Sequence, residues 1–164
     1  MNMQNSKSHS SIDTVRKLAV RVFALELAKT ELAIFKERQN WRNECKMAAY
    51  FQSTPEKAAY SRLMYVAARV NRPYRISEIS KELGISRQSL SKITDDCWQE
   101  GWIVSEKVHG NSYKYMASEI LCTSIEVYAD YSSDMFLKTG VHEAEHFLGM
   151  LKRSKPELHR QAFP

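Results

Sequence analysis

The chain has 164 residues, 43% of them apolar and 26% charged, with a formal net charge of +5. That is enough apolar sequence for a core of its own, and too mixed a composition for a fibrous or wholly disordered protein. The basic excess is compatible with a nucleic-acid partner without demanding one. The three cysteines, Cys45, Cys97 and Cys122, are odd in number and far apart, which argues against a disulfide framework or a cysteine-based zinc site and for a reducing, cytoplasmic compartment.

Residues 1–11 are polar and rich in serine, and read as a disordered tail rather than a signal peptide. Between residues 12 and 53 neither Gly nor Pro interrupts the chain. Arg16, Lys17, Arg21, Glu26 and Lys29 break up the apolar run there, so an amphipathic helix is expected and a membrane span is not. Val15, Leu18, Val22, Leu25 and Leu32 form a heptad-like seam, and Ala19, Phe23, Leu27 and Ile34 widen the apolar surface beyond it. Such a helix has to bury that surface in a core or against a partner. The polar run Lys36-Glu37-Arg38-Gln39-Asn40 predicts a break near Gln39 and Asn40, with Trp41, Cys45 and Ala48 on a second, shorter helix, although one continuous helix also fits. The aromatics Trp41, Tyr50 and Phe51 read as packing residues.

Thr54-Pro55-Glu56 is a strong helix start, with Thr54 as N-cap, Pro55 in the first turn and Glu56 behind it. The helix it opens carries Ala59, Leu63, Val66, Ala67 and Val70 and ends before Pro73. Residues 74–103 then read as two short helices around a tight turn. Ile76, Ile79 and Leu83 line one face of the first. Gly84 supplies the stop, and Ser86 is a good N-cap for the second. The second helix buries Leu90, Ile93 and Cys97 and presents Arg87, Gln88, Ser89, Ser91 and Lys92 near its start. Long polar and basic side chains at the beginning of a second helix are what major-groove reading requires, so the pattern predicts a helix-turn-helix.

Gly101 ends that helix, and residues 102–108 are rich in strand formers. His109-Gly110-Asn111-Ser112 has turn chemistry, and residues 113–117 return as a second strand. A hairpin in this place is a wing. Ser118 is expected to cap a further helix with Leu121, Ile125, Tyr128 and Met135 along one apolar line, stopped by Thr139 and Gly140. A last helix spans residues 141–152, and the basic segment 154–164 reads as a loosely ordered tail.

The middle of the chain, SEISKELGISRQSL followed by GWIV, resembles the multiple antibiotic resistance regulator (MarR) family of winged-helix transcription factors. Outside that stretch the resemblance rests on the order of the elements. Two departures stand out: Asp96 and Glu100 occupy the late part of the second helix, where the family often has basic residues, and the turn at 109–112 is short. The resemblance implies a mainly α protein with a small β-hairpin wing. The winged helix-turn-helix would be flanked by N- and C-terminal dimerisation helices. It also implies a transcriptional regulator, commonly a repressor released by a small-molecule effector, while the apolar seams Val15–Leu32 and Leu121–Met135, more than one compact domain can cover, predict a two-fold homodimer.

The expected organisation is a disordered tail over 1–11, dimerisation helices over 12–53 and 118–153, a DNA-binding region over 54–117, and a basic tail over 154–164. The expected partner is double-stranded DNA, with no membrane. Arg87 and Gln88 are the candidates for base edges, since Arg pairs bidentately with guanine and Gln with adenine. Ser86, Ser89, Ser91 and Lys92 suit phosphate and sugar, as do Lys107, His109, Asn111 and Lys114 on the wing. The bland alternative is a solvated helix face on a winged-helix protein-interaction module, which the two late acids would suit. A second alternative comes from His142-Glu143-Ala144-Glu145-His146, which matches the H-E-x-x-H zinc-peptidase pattern. The extended form of that pattern has a third His where this chain has Lys152, and little chain remains to build a cleft. No catalytic residue, resident metal or cofactor is therefore assigned.

Overall fold

The computed structural model describes residues 4–110 and 112–153, with side chains described over 13–110 and 112–151. Asn111 and the 154–164 tail lie outside the described residues. Among the described residues seven helices and one hairpin follow in the order α1 (Gln4–Glu44), α2 (Lys46–Phe51), α3 (Pro55–Arg69), α4 (Ile76–Leu83), α5 (Arg87–Gln99), β1 (Ile103–His109), β2 (Ser112–Ala117), α6 (Glu119–Lys138) and α7 (Val141–Arg153). No described helix is long and apolar enough to cross a membrane.

The chain divides into two compact units, and α1 and α6 each contribute to both: residues 37–131 form one, and residues up to 36 together with those from 132 form the other. In the first unit Met47, Phe51, Tyr60, Met64, Ile79, Leu90, Ile93, Cys97, Trp102, Ile103, Ala117, Leu121 and Cys122 make a single core. Tyr50, Phe51 and Trp102 pack as a triangle of rings with centroids 5.2–5.3 Å apart. Inside this core the Tyr60 hydroxyl and Thr94 Oγ1 share a hydrogen bond of 3.0 Å, so neither buried hydroxyl is left unsatisfied.

Thr54 caps α3 as expected, accepting from the Lys57 N–H. Tyr74 and Tyr115 exchange two backbone hydrogen bonds of 2.8 and 3.0 Å. This adds a one-residue third strand to the antiparallel hairpin, in which Ile103 faces Ala117, Ser105 faces Tyr115 and Glu106 faces Lys114.

In the second unit Ala19, Thr30, Ile34, Val141 and Leu148 are buried. Thr30 Oγ1 donates to the Glu26 carbonyl at 2.9 Å and shares a hydroxyl–hydroxyl hydrogen bond of 2.6 Å with Thr139 Oγ1, which ties α1 to the turn before α7.

Four expectations need revision. The helix α1 begins at Gln4, within the stretch read as a disordered tail. The break expected near Gln39 and Asn40 falls at Cys45, in extended backbone with φ −130°, so Trp41 belongs to α1. The helix continues through the polar run, and both Arg38 within it and Trp41 after it pack on Tyr128. Ser118 precedes α6 as expected, but its buried hydroxyl makes no hydrogen bond among the described residues, and only its carbonyl engages the helix. Finally, the Leu121 line of α6 turns inward, with Leu121 buried and Ile125, Tyr128 and Met135 half-buried, while Ile120 and Val127 are the exposed apolar positions.

Candidate nucleic-acid interface

The recognition surface is built by two short-range devices. Gly84 stops α4 in the left-handed region at φ +66°, a conformation that costs an L side chain but not glycine. Ser80 Oγ donates to the Ile85 carbonyl at 2.7 Å across that turn. Ser86 then accepts from the Ser89 N–H at 3.2 Å and its hydroxyl meets Ser89 Oγ at 2.9 Å, which starts α5. Leu90, Ile93, Thr94 and Cys97 anchor the inner face of α5 in the core.

That anchoring leaves Ser86, Arg87, Gln88, Ser89 and Lys92 exposed and Ser91 half-exposed. The side chains of Arg87, Gln88 and Lys92 make no hydrogen bond or ion pair with a described residue. Their donors are therefore available to a ligand along the first two turns of one helix.

The wing candidates sit apart from these, on the hairpin. Lys107 and His109 are exposed and Lys114 is half-buried, directly across the strands from Glu106. Lys107 shares the other face with Tyr113 and Ser105.

The two acids at the far end of α5 are engaged from α2. Asp96 Oδ2 accepts from the Tyr50 hydroxyl at 2.9 Å, and Glu100 pairs with Lys46 at 2.7 Å. Burial, and then the hydrogen bond to Asp96, hold the Tyr50 phenol well above its ordinary range. Sequence reasoning did not find Tyr50 or Lys46 in this role, because no motif links residues 46–50 to residues 96–100 and only the packing of α2 brings them together. It also passed over Lys57, which joins Ser86, Ser89 and Lys92 around an open groove beside the start of α3. Lys57 is held there 3.8 Å above the Tyr50 ring centroid and 3.2 Å from Ser53 Oγ.

A second concave feature of the same unit is lined by Arg38, Trp41, Phe51, Arg62, Leu121 and Tyr128, with Ser61 and Ser124 beside them. Arg38 Nε donates to the Tyr128 hydroxyl at 2.7 Å, and Arg62 Nη1 to Ser61 Oγ at 2.9 Å. Neither guanidinium forms an ion pair with a described residue. Although Arg62 is exposed as a residue, the packing around its head group and then the nearby Arg38 charge lower its proton affinity. The cleft is thus an apolar and aromatic floor under two like charges.

On α7, His142, Glu143 and His146 are all exposed. Among the described residues no group of three or more His, Cys, Asp or Glu side chains converges in a way that could hold a metal ion.

A helix, a tight turn, a second helix with a polar N-terminal face, and a hairpin directly after it define a winged helix-turn-helix. Among solved structures the chain is similar to disulfide-formed AbfR, at 12% identity over 92% of this chain and 95% of that one, with a TM-score of 0.50. It is also similar to the transcriptional regulator Tm0710 from Thermotoga maritima, at 16% identity over 82% and 92% with a TM-score of 0.46. A third similar structure is ZitR of Lactococcus lactis, at 13% over 59% and 71% with a TM-score of 0.38. At these identities the likeness is one of fold, and the AbfR match carries it along nearly the whole of both chains. The fold is a winged helix, mainly α with a hairpin wing, as expected from the sequence. No protein-family model matches the sequence, and no curated protein matches it significantly.

Proposed function

We propose that this protein is a sequence-specific regulator of transcription that binds duplex DNA through α5 and the wing, as a homodimer on a pseudo-palindromic site. One observation carries the reading: Arg87, Gln88 and Lys92 stand exposed and unengaged on the leading turns of a helix whose other face is locked into the core. The acids that would weaken that surface, Asp96 and Glu100, have protein partners. Phosphate contacts come from Ser86, Ser89, Ser91 and Lys92, and from Lys107, His109, Asn111 and Lys114 on the wing, in keeping with the division between positioning and specifying contacts.

Dimerisation falls to the helices over 12–53 and 118–153. Val15, Leu18, Val22, Leu25 and Leu32 are 42–62% exposed. They run along the flank of α1 beside the buried Ala19 and Ile34, and a heptad seam left open in one chain fits a second copy. Repression is the regulatory sense we assign, released by a small-molecule effector in the cleft under Arg38 and Arg62. Two guanidiniums without ion-pair partners, one of them over the Tyr128 ring, suit an aromatic carboxylate.

Selection of genomic fragments by the purified protein tests the reading. Recovery of a common imperfect palindrome, with half-site centres roughly 34 Å apart, is expected. If no fragment is enriched over scrambled duplex, α5 is an ordinary solvated face and the protein-interaction alternative replaces this one.

A further inference from the structure

Asp95 lies on the outward face of α5, exposed, on the strip that also carries Gln88, Ser91, Lys92 and Gln99. At roughly 100° per residue these positions cluster opposite Leu90, Ile93 and Cys97. The neighbouring acids Asp96 and Glu100 are taken up by Tyr50 and Lys46. Asp95 differs: its carboxylate makes no hydrogen bond or ion pair with a described residue, even though Lys92 precedes it by one turn. A bare carboxylate on a surface that approaches a polyanion is repelled by phosphate wherever it lands, unless it meets a donor on a base edge. In the major groove those donors are the exocyclic amines of cytosine and adenine. The adenine amine is flanked by two acceptors, its own N7 and the thymine O4. The cytosine amine has one acceptor beside it, the guanine O6, and a C–H on the other side. A carboxylate is therefore repelled less at cytosine.

We propose that Asp95 is a specificity-determining residue that accepts a hydrogen bond from the N4 amine of a cytosine in each half-site. The proposal rests on the duplex-binding reading above and adds a base that neither Arg87 nor Gln88 reads. Seven residues of α5 separate Asp95 from Gln88, about 10 Å at 1.5 Å per residue, or roughly three base steps of 3.4 Å. The cytosine belongs about that far along the groove from the base met by Gln88.

The test is duplex selection with the full chain and its Asp95→Ala and Asp95→Asn variants, followed by anisotropy on the selected site. The wild type is expected to fix one cytosine per half-site and to lose roughly tenfold in affinity when that pair is changed. Asp95→Ala should flatten that position alone. Asp95→Asn should move its preference to adenine, since an amide pairs with adenine N6 and N7. Replacing the cytosine by 2-pyrimidinone, which lacks the amine, should weaken the wild type and leave Asp95→Ala unaffected. The proposal is overturned if Asp95→Ala keeps the cytosine, or if it binds every duplex more tightly by the same factor, since Asp95 is then a surface charge and nothing more. In either case the wild type still selects a palindrome. Failure of the wild type to select any duplex is a different result, which removes the DNA-binding reading and this assignment with it.

Discussion

The Tyr50 hydroxyl donates to Asp96 Oδ2 at 2.9 Å, and through this bond α2 takes up a carboxylate of the recognition helix. Tyr50→Phe removes the donor and keeps the ring against Phe51 and Trp102. A hydrogen bond to a charged group contributes about 1.5–3 kcal/mol, and because Asp96 is only half-buried the loss should sit near the lower end. The variant should also bind every duplex more weakly, because Asp96 regains its freedom beside Lys92. Urea melts and anisotropy on specific and scrambled duplexes measure both effects. An unchanged melting midpoint would show that the bond contributes nothing.

Arg87 and Lys92 should separate by the kind of contact each makes. Arg87→Ala should relax selection at one base pair per half-site, at a cost of about 1–3 kcal/mol of discrimination. Lys92→Ala should weaken all duplexes alike and reduce the slope of log K against log salt by about 0.9, the share of one phosphate. A salt series on both variants distinguishes them.

The α1 seam should govern assembly. Leu18 and Leu25 are 62% and 57% exposed in the single chain, and burying a leucine contributes about 1.5–3 kcal/mol. The wild type should sediment at micromolar concentration as one dimeric species, and a Leu18→Asp, Leu25→Asp double variant as a monomer with unchanged helix content. A wild type that remains monomeric would remove the two-fold operator as well.

In the arginine cleft, Arg62→Met keeps most of the side-chain volume and deletes one of two like charges. Without ligand the variant should be at least as stable as the wild type. Benzoate should raise the melting temperature of the wild type, by the equivalent of about 2.7 kcal/mol at one hundred times its Kd, and should not raise that of the variant. Equal shifts in the two proteins would show that the anion binds elsewhere.

Alkaline pH should destabilise the core of the unit formed by residues 37–131. Burial, assisted by the Asp96 charge, pushes the Cys97 thiol from an ordinary value near 9 up to about 12, and burial likewise holds the Tyr60 phenol above its usual range. The folded state keeps its proton where the unfolded chain would release it. The stability this contributes is complete below about pH 9 and is lost as pH rises through 12. Cys97→Ala should make the decline shallower. Stability that rose above pH 9 in the wild type would contradict the assignment.

The helix-turn-helix was legible because its signals are local. Ile76, Ile79 and Leu83, then Gly84, Ser86, Leu90 and Ile93 fix helix, turn and helix within one short window, and the structure places each as expected. The hairpin was legible for the same reason, with strand ends displaced by one residue. What the sequence did not show depends on distant partners. The division of α1 into a buried face through Ala19 and Ile34 and an exposed seam through Leu18 and Leu25 is invisible in a helix whose apolar residues spread around it. The break at Cys45 follows from the way α2 enters the core through Met47 and Phe51, which overrides the polar run before it. Tyr50 beside Asp96, and Arg38 facing Arg62 across a cleft, join positions that no spacing rule connects.

The pairing of Tyr74 with Tyr115 has a kinetic consequence. Its two backbone bonds clasp the chain just before α4 to the second wing strand, so that α4, α5 and most of the hairpin lie inside one closed loop. Closing a loop of that length is entropically costly before any contact compensates for it, so the clasp should form late, after the helices within it. Once formed, it makes wing and turn open together. In native-state hydrogen exchange the Tyr74 and Tyr115 amides should share one opening free energy, and that energy should match the slowest amides of α5 rather than those near the hairpin tip.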